Sequence, residues 1–143
     1  MSRYCLDTSA YSHFKLGHDE VVEILDTAEW VGMPAIVLGE LWTGFLQGRH
    51  LKSNEADLRA FLENPVVEVL AVDEEVARIY GEILKALRKA GTPIPTNDIW
   101  ITAAAARHGA TVLTYDAHFQ SMARVGTRLL SVNRGRSGAD NVE

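Results

Sequence analysis

Short apolar runs alternate along the chain with stretches in which apolar residues recur every three or four positions. Arg3-Tyr4-Cys5-Leu6 reads as a first strand that ends at Asp7. A short helical stretch follows to Leu16, with Gly17 as its stop. Val21, Val22, Leu25 and Ala28 have helical spacing within 19–28, and 29–33 reads as a second strand. Pro34 suits the first turn of a helix whose apolar face carries Ile36, Val37, Leu41, Gly44 and Phe45. A further helix over 55–62 closes at Asn64-Pro65, before a third strand over 66–70. Asp73 can cap a long helix with Val76, Ile79, Tyr80, Ile83, Leu84 and Leu87 on one face. After the turn-rich 91–96, a helix runs from Thr96 to His108 and stops at Gly109. A fourth strand over 111–114 leads to Asp116, followed by a short helix over 117–123 and a fifth strand over 128–132.

This alternation implies an α/β fold, a three-layer α/β/α sandwich around a parallel sheet of about five strands. The strands are nearly continuous apolar runs, as expected when both faces of a sheet are covered. No repeat or linker divides the chain. Residues 1–132 form one expected domain, and the Gly-, Ser- and charge-rich 133–143 read as a flexible tail.

A chain of 143 residues with 47% hydrophobic and 23% charged residues has the composition of one ordinary globular domain. No apolar run reaches the roughly 20 residues of a membrane span, and the first residues lack a long apolar segment, so no membrane association is expected. The single cysteine, Cys5, cannot form an internal disulfide and falls inside a strand, where it reads as a small core residue. These features together give a cytoplasmic expectation. The formal net charge of -5 argues at first against a nucleic-acid partner, because phosphate recognition ordinarily needs a basic surface.

The placement of the acids changes that picture. In open parallel sheets, ligands bind outside the carboxyl ends of the strands. Asp7 follows strand one and Asp116 follows strand four, so both fall at that edge. Asp98 lies in the first turn of its helix, where the dipole and free N–H groups favour an ionised carboxylate. Glu40 sits within a helix among Val37, Leu41 and Gly44, where an acid is costly without a partner. Each has a plain structural explanation. Asp7 can be an N-cap, Asp98 a complement to a helix N-terminus, Asp116 a turn residue, and Glu40 a solvated rim residue. Jointly they form a like-charged cluster that suits one or two hard divalent cations, Mg²⁺ or Mn²⁺. Such ions can activate water, orient a phosphate and stabilise a leaving oxygen.

The run from Asp98 to Phe119 resembles the C-terminal motif of PIN domains: an acid opening an Ala-rich helix, a Gly, a strand, and Thr114-Tyr115-Asp116-Ala117-His118-Phe119. Leu6-Asp7-Thr8-Ser9 is similar to the first motif of that family, and Pro34-Ala35-Ile36-Val37-Leu38-Gly39-Glu40-Leu41 with Gly44 to the second. Order and spacing match from Tyr4 to Val132. The length and the Glu-Leu-x-x-Gly stretch resemble VapC toxins, the ribonuclease half of VapBC toxin–antitoxin pairs. This resemblance implies an Mg²⁺- or Mn²⁺-dependent endoribonuclease with Asp7, Glu40, Asp98 and Asp116 as catalytic, metal-binding acids. It implies Thr8, Ser9 and Thr114 as supporting hydrogen-bonding residues. It further implies an RNA substrate, a VapB-like antitoxin partner and a homodimer.

With two divalent ions bound, the net charge would move from -5 to -1, and RNA would meet a local positive centre. Lys15, Arg49, Lys52, Arg107 and Arg124 are candidates for flanking phosphate contacts, although lone surface cations are mostly solvating. His118 is within reach of a phosphate, but reads first as a partly exposed polar residue on a short helix. Trp42, Phe45 and Leu46 share the Glu40 helix and serve either as core or as a groove for an antitoxin helix. A haloacid-dehalogenase-like phosphatase would want a second Asp where Ser9 stands, and a receiver domain would want an acidic pair and a Lys that are missing. The remaining alternative is a non-cleaving PIN-like module that binds RNA or protein. Four intact acids argue against it, since nothing in such a module offsets their repulsion.

Overall fold

The computed structural model describes residues 2–132. The elements are β1 (Arg3–Leu6), α1 (Thr8–Lys15), α2 (Asp19–Thr27), β2 (Trp30–Pro34), α3 (Ala35–Gln47), α4 (Leu51–Leu62), β3 (Val67–Leu70), α5 (Glu74–Ala90), α6 (Thr96–Arg107), β4 (Thr111–Thr114), a 3-10 turn (Ala117–Ser121) and β5 (Thr127–Leu129). All four strand pairings are parallel, in the order β3-β2-β1-β4-β5. The chain builds outward from β1 to β3, then crosses back to lay β4 and β5 on the other side of β1. The direction of winding thus reverses between β1 and β4. Loops leaving those two strands part there and open a crevice at the carboxyl edge of the sheet.

Burial explains why the central strands carry no alternation. Cys5 and Leu6 are adjacent, so they point to opposite faces of β1, yet both are fully buried; Val112 and Leu113 repeat the pattern in β4. Helices therefore cover both faces, as the three-layer expectation requires. Burial also pushes the Cys5 thiol up, which keeps it protonated and inert.

α6 is buried around most of its circumference, through Ile99, Ile101, Thr102, Ala103, Ala104 and Ala105. Its alanines allow close approach to neighbours, and Trp100 stacks on Tyr80 of α5 with centroids 3.9 Å apart. α5 buries Val76, Ile79, Ile83 and Leu87, with Asp73 accepting from Val76 N–H at its start. Its C-cap Gly91 has φ 69°, a conformation that costs glycine nothing.

Four local expectations shift. Pro34 is the last residue of β2, paired with Leu70, and caps α3 from outside rather than occupying its first turn. A residue without an N–H can end a strand without losing a ladder bond. α4 begins at Leu51, earlier than 55, because no side chain caps it and its start leaves little signal. The helix expected over 117–123 is a shorter 3-10 turn. β5 spans Thr127–Leu129 rather than 128–132, because β4 ends at Thr114 and offers nothing to pair with beyond the Leu130 N–H bond to Thr114. Residues 133–143, expected to be a tail, lie outside the described residues. No helix among the described residues is long and apolar enough to cross a membrane.

Candidate active site

β1 delivers Asp7 directly to the crevice. Its carboxylate is 4% exposed and meets four donor contacts. Oδ1 accepts Ala10 N–H at 2.8 Å, capping α1, and Oδ2 accepts the Thr114 hydroxyl at 2.6 Å. The Ser9 hydroxyl reaches both oxygens, at 2.7 and 2.9 Å. The N-cap explanation therefore holds for Oδ1, while Oδ2 is tethered to Thr114 and Ser9. Burial pushes the Asp7 carboxyl above its ordinary value. The bonds from Thr114, Ala10 and Ser9 counter this only in part, and the Asp116 charge adds to the push.

Thr114 and Ser9 join the two strands beneath the site. The Thr114 hydroxyl accepts Asp116 N–H at 2.8 Å while donating to Asp7, and the Ser9 hydroxyl accepts Tyr115 N–H at 3.0 Å. Asp116 in turn caps the 3-10 turn, accepting His118 N–H at 2.9 Å.

α6 begins at Pro95 without any side-chain cap, which leaves its first-turn acid, Asp98, to complement the dipole. Desolvation raises the Asp98 pKa. His118 lowers it, and the charges of Asp116 and Asp7 raise it further. These mutual effects place Asp7, Asp98 and Asp116 in one electrostatic cluster.

Glu40 enters from α3. Oε1 accepts the Thr8 hydroxyl and Oε2 accepts Asn97 Nδ2 at 3.1 Å. Its partners are thus the immediate neighbours of Asp7 and Asp98. This supplies the compensation that an acid on a largely apolar helix needs.

Sequence reasoning did not single out Asn97 and ranked His118 first as a plain surface residue. Asn97 is visible in the sequence only as one polar residue in Thr96-Asn97-Asp98. His118 is exposed on its short turn, as expected, but its Nδ1 lies 3.2 Å from Asp116 Oδ1 and 3.4 Å from Asp98 Oδ2. Ligand atoms of Asp98, Asp116 and His118 all lie within 4.8 Å of one another. The two carboxylates of this set, with the Asp7 charge felt by Asp98, supply oxygen donors of the kind a hard divalent cation takes. Of the five candidate phosphate contacts, Lys15, Arg107 and Arg124 are engaged by Asp57, Glu75 and Glu82. Arg49 and Lys52 are exposed and have no ion pair among the described residues. On α3, Phe45 packs against the core, Leu46 is 65% exposed, and Trp42 lines a cavity of about 320 Å³ with Leu58 and Leu62 of α4.

The PIN domain family model matches residues 4–125. Ribonuclease VapC4 of Mycobacterium tuberculosis is 34% identical over 94 residues, 66% of this chain and 72% of that protein. VapBC2 from Rickettsia felis, in a crystal structure bound to a DNA fragment from their promoter, superposes with a TM-score of 0.81 at 23% identity, covering 90% of this chain and 99% of that one. VapBC-5 from Mycobacterium tuberculosis, a member of the VapBC family of toxin–antitoxin systems, superposes with a TM-score of 0.70 at 24% identity, covering 92% and 100%. The chain belongs to the PIN-domain family and, within it, to the VapC group.

Proposed function

We propose that this protein is a metal-dependent endoribonuclease and the toxin of a toxin–antitoxin pair, with Asp7, Glu40, Asp98 and Asp116 holding one or two Mg²⁺ or Mn²⁺ ions. The observation that carries the reading is the convergence of carboxylates at the switch point. Asp98 and Asp116 come together there, and Asp7 resists ionisation chiefly because it is buried, with the Asp116 charge adding to the push. A divalent cation bound between these acids would offset that repulsion.

When bound, a divalent ion supplies Lewis acidity toward the phosphodiester and lowers the pKa of water in its shell. The protein's own contribution is to fix the acids before substrate arrives. Ser9, Ala10 and Thr114 clamp Asp7, Thr8 and Asn97 hold Glu40, and the α6 dipole favours the charge on Asp98. With the acids neutralised, exposed Arg49 and Lys52 add positive charge flanking the helix that carries Glu40.

RNA as substrate is supported by VapC4 being a ribonuclease. A VapB-like partner is supported by membership of the VapC group, and the groove beside Trp42 and exposed Leu46 is a suitable apolar surface for it. Purified protein incubated with RNA and Mg²⁺ or Mn²⁺ should cleave it, and Asp7→Asn and Asp98→Asn should not. Equal cleavage by all three would overturn the site assignment. Expression without a partner should arrest growth, and harmless expression of demonstrably active protein would overturn the toxin role.

A further inference from the structure

We infer that His118 is a nitrogen ligand of the divalent ion, alongside Asp98 and Asp116, and that it tilts the site toward Mn²⁺ and later first-row metals over Mg²⁺. The inference rests on the metal-dependent reading above and adds to it a ligand of a different chemical kind.

The local fold aims the ring. Asp116 ends the approach from β4 and accepts His118 N–H, which starts the 3-10 turn of Ala117–Ser121. This brings the imidazole back over the carboxylate that caps it. Nδ1 then stands 3.2 Å from Asp116 Oδ1 and 3.4 Å from Asp98 Oδ2, on an element separate from α6. Cis donors on an octahedral ion with bonds of about 2.1 Å lie about 3 Å apart. The two N···O separations are such edges, expanded by a few tenths of an ångström. The ring is about half exposed, so a cation can reach it from solvent and a substrate phosphate can still approach from the open side.

Ligand type then decides preference. Mg²⁺ takes oxygen donors almost exclusively, whereas imidazole favours Mn²⁺ slightly and Co²⁺, Ni²⁺ and Zn²⁺ increasingly. A site of carboxylates alone would discriminate less between Mg²⁺ and Mn²⁺. The competing explanation is that His118 only donates a hydrogen bond to Asp98 and never touches the ion. The two explanations differ in what the bound metal sees.

The test uses the full-length protein without RNA. Mn²⁺ binding is measured by calorimetry, and the bound ion is examined by electron spin echo envelope modulation. Wild type, His118→Gln and Asp98→Asn are compared, with circular dichroism to verify folding. Wild type should display coupling to a directly bound ¹⁴N that His118→Gln lacks. The Mn²⁺ Kd should weaken about tenfold or more in His118→Gln; because an outer partner of a ligand costs a similar factor, the nitrogen coupling decides between the two explanations. The Mg²⁺ Kd should move less than about threefold, because oxygen donors dominate its binding. Mn²⁺ bound with Asp98 dependence but without nitrogen coupling would overturn the role of His118 and leave the metal site standing. Mn²⁺ binding insensitive to Asp98→Asn, or no binding by wild type, would overturn the metal site itself and this inference with it.

Discussion

The Thr114 hydroxyl donates to Asp7 Oδ2 over 2.6 Å, tying the end of β4 to the acid at the end of β1. Because the same oxygen accepts Asp116 N–H, one buried side chain sets the position of two acids that are 109 residues apart in sequence. Thr114 is fully buried, so its geometry is fixed by packing as well as by bonding. These two acids are therefore positioned by adjacent strand ends rather than by mobile loops.

Thr114→Val keeps the shape and the strand preference but removes the donor. Asp7 Oδ2 would then rely on Ser9 alone, and Asp116 N–H would lose its acceptor. Leaving such buried groups unpaired costs about 1–3 kcal/mol. Urea unfolding should reveal that loss, and Mn²⁺ affinity should fall about tenfold or more, as for other groups that orient metal ligands. Thr114→Ser should recover most of the affinity. Full affinity in Thr114→Val would mean that the hydroxyl does not orient the site.

Asp98→Asn should separate stability from activity. In wild type without metal, burial and the charges of Asp116 and Asp7 together outweigh the favourable His118 bond and disfavour ionised Asp98. Neutral Asn removes that penalty, so at pH 7 the metal-free variant should melt higher, by about 3 °C for about 1 kcal/mol. Cleavage should fall about a hundredfold or more, since metal-ion catalysis is worth several kcal/mol. A variant that melts lower in chelator would contradict the repulsion that motivates the metal site.

The sheet was legible because its signals are local. β1, β3 and β4 are apolar runs bounded by turn residues, and α5 has a one-sided stripe with an Asp cap, so pattern alone located them. Alternation also implies parallel strands, which put Asp7 and Asp116 at one edge, whereas the order β3-β2-β1-β4-β5 emerges only in the fold. The start of α4 and the limits of β5 differ from expectation because they are set by a missing cap and by where a neighbouring strand stops. Neither leaves a mark in the sequence itself.

Asp7, Asp98 and Asp116 were readable from position, whereas Glu40 needed the resemblance. Its partners explain why. Thr8 and Asn97 approach Glu40 from α1 and α6, across sequence separations of 32 and 57 residues. Nothing within α3 announces them. His118 was undervalued for a different reason. Exposure and a short helical turn are correct descriptions of it, but the direction of the ring depends on Asp116 capping that turn, which only three-dimensional geometry reveals.

Asn97→Ala tests whether Glu40 needs its second tether. Asn97 is exposed, so stability should change by no more than about 0.5 kcal/mol. Glu40 would keep Thr8 on Oε1 but lose the bond on Oε2, freeing its side chain to swing. RNA cleavage should drop about tenfold with the melting temperature unchanged, the scale seen for outer partners of metal ligands. Unchanged cleavage across a range of Mg²⁺ concentrations would mean that Glu40 is positioned without Asn97.

The pH dependence of stability should reverse sign when metal is added. Asp7 and Asp98 both titrate above the ordinary 3.8 in the fold, chiefly because they are buried. An acid with a raised folded pKa keeps its proton in the native state after the unfolded chain has released it. Its contribution to metal-free stability is greatest below 3.8 and declines as pH rises through the raised value. A divalent ion binds the ionised form, so its stabilising effect grows over the same window and is lost as pH falls. Melting temperatures of wild type minus Asp98→Asn, measured from about pH 4 to 8, isolate the Asp98 contribution from the other carboxylates. In chelator, wild type should fall progressively below the variant as pH rises; in saturating Mn²⁺ it should climb above. A difference curve that is flat in chelator would mean that Asp98 is not held against its own ionisation, and the case for a cation between these acids would lose its electrostatic basis.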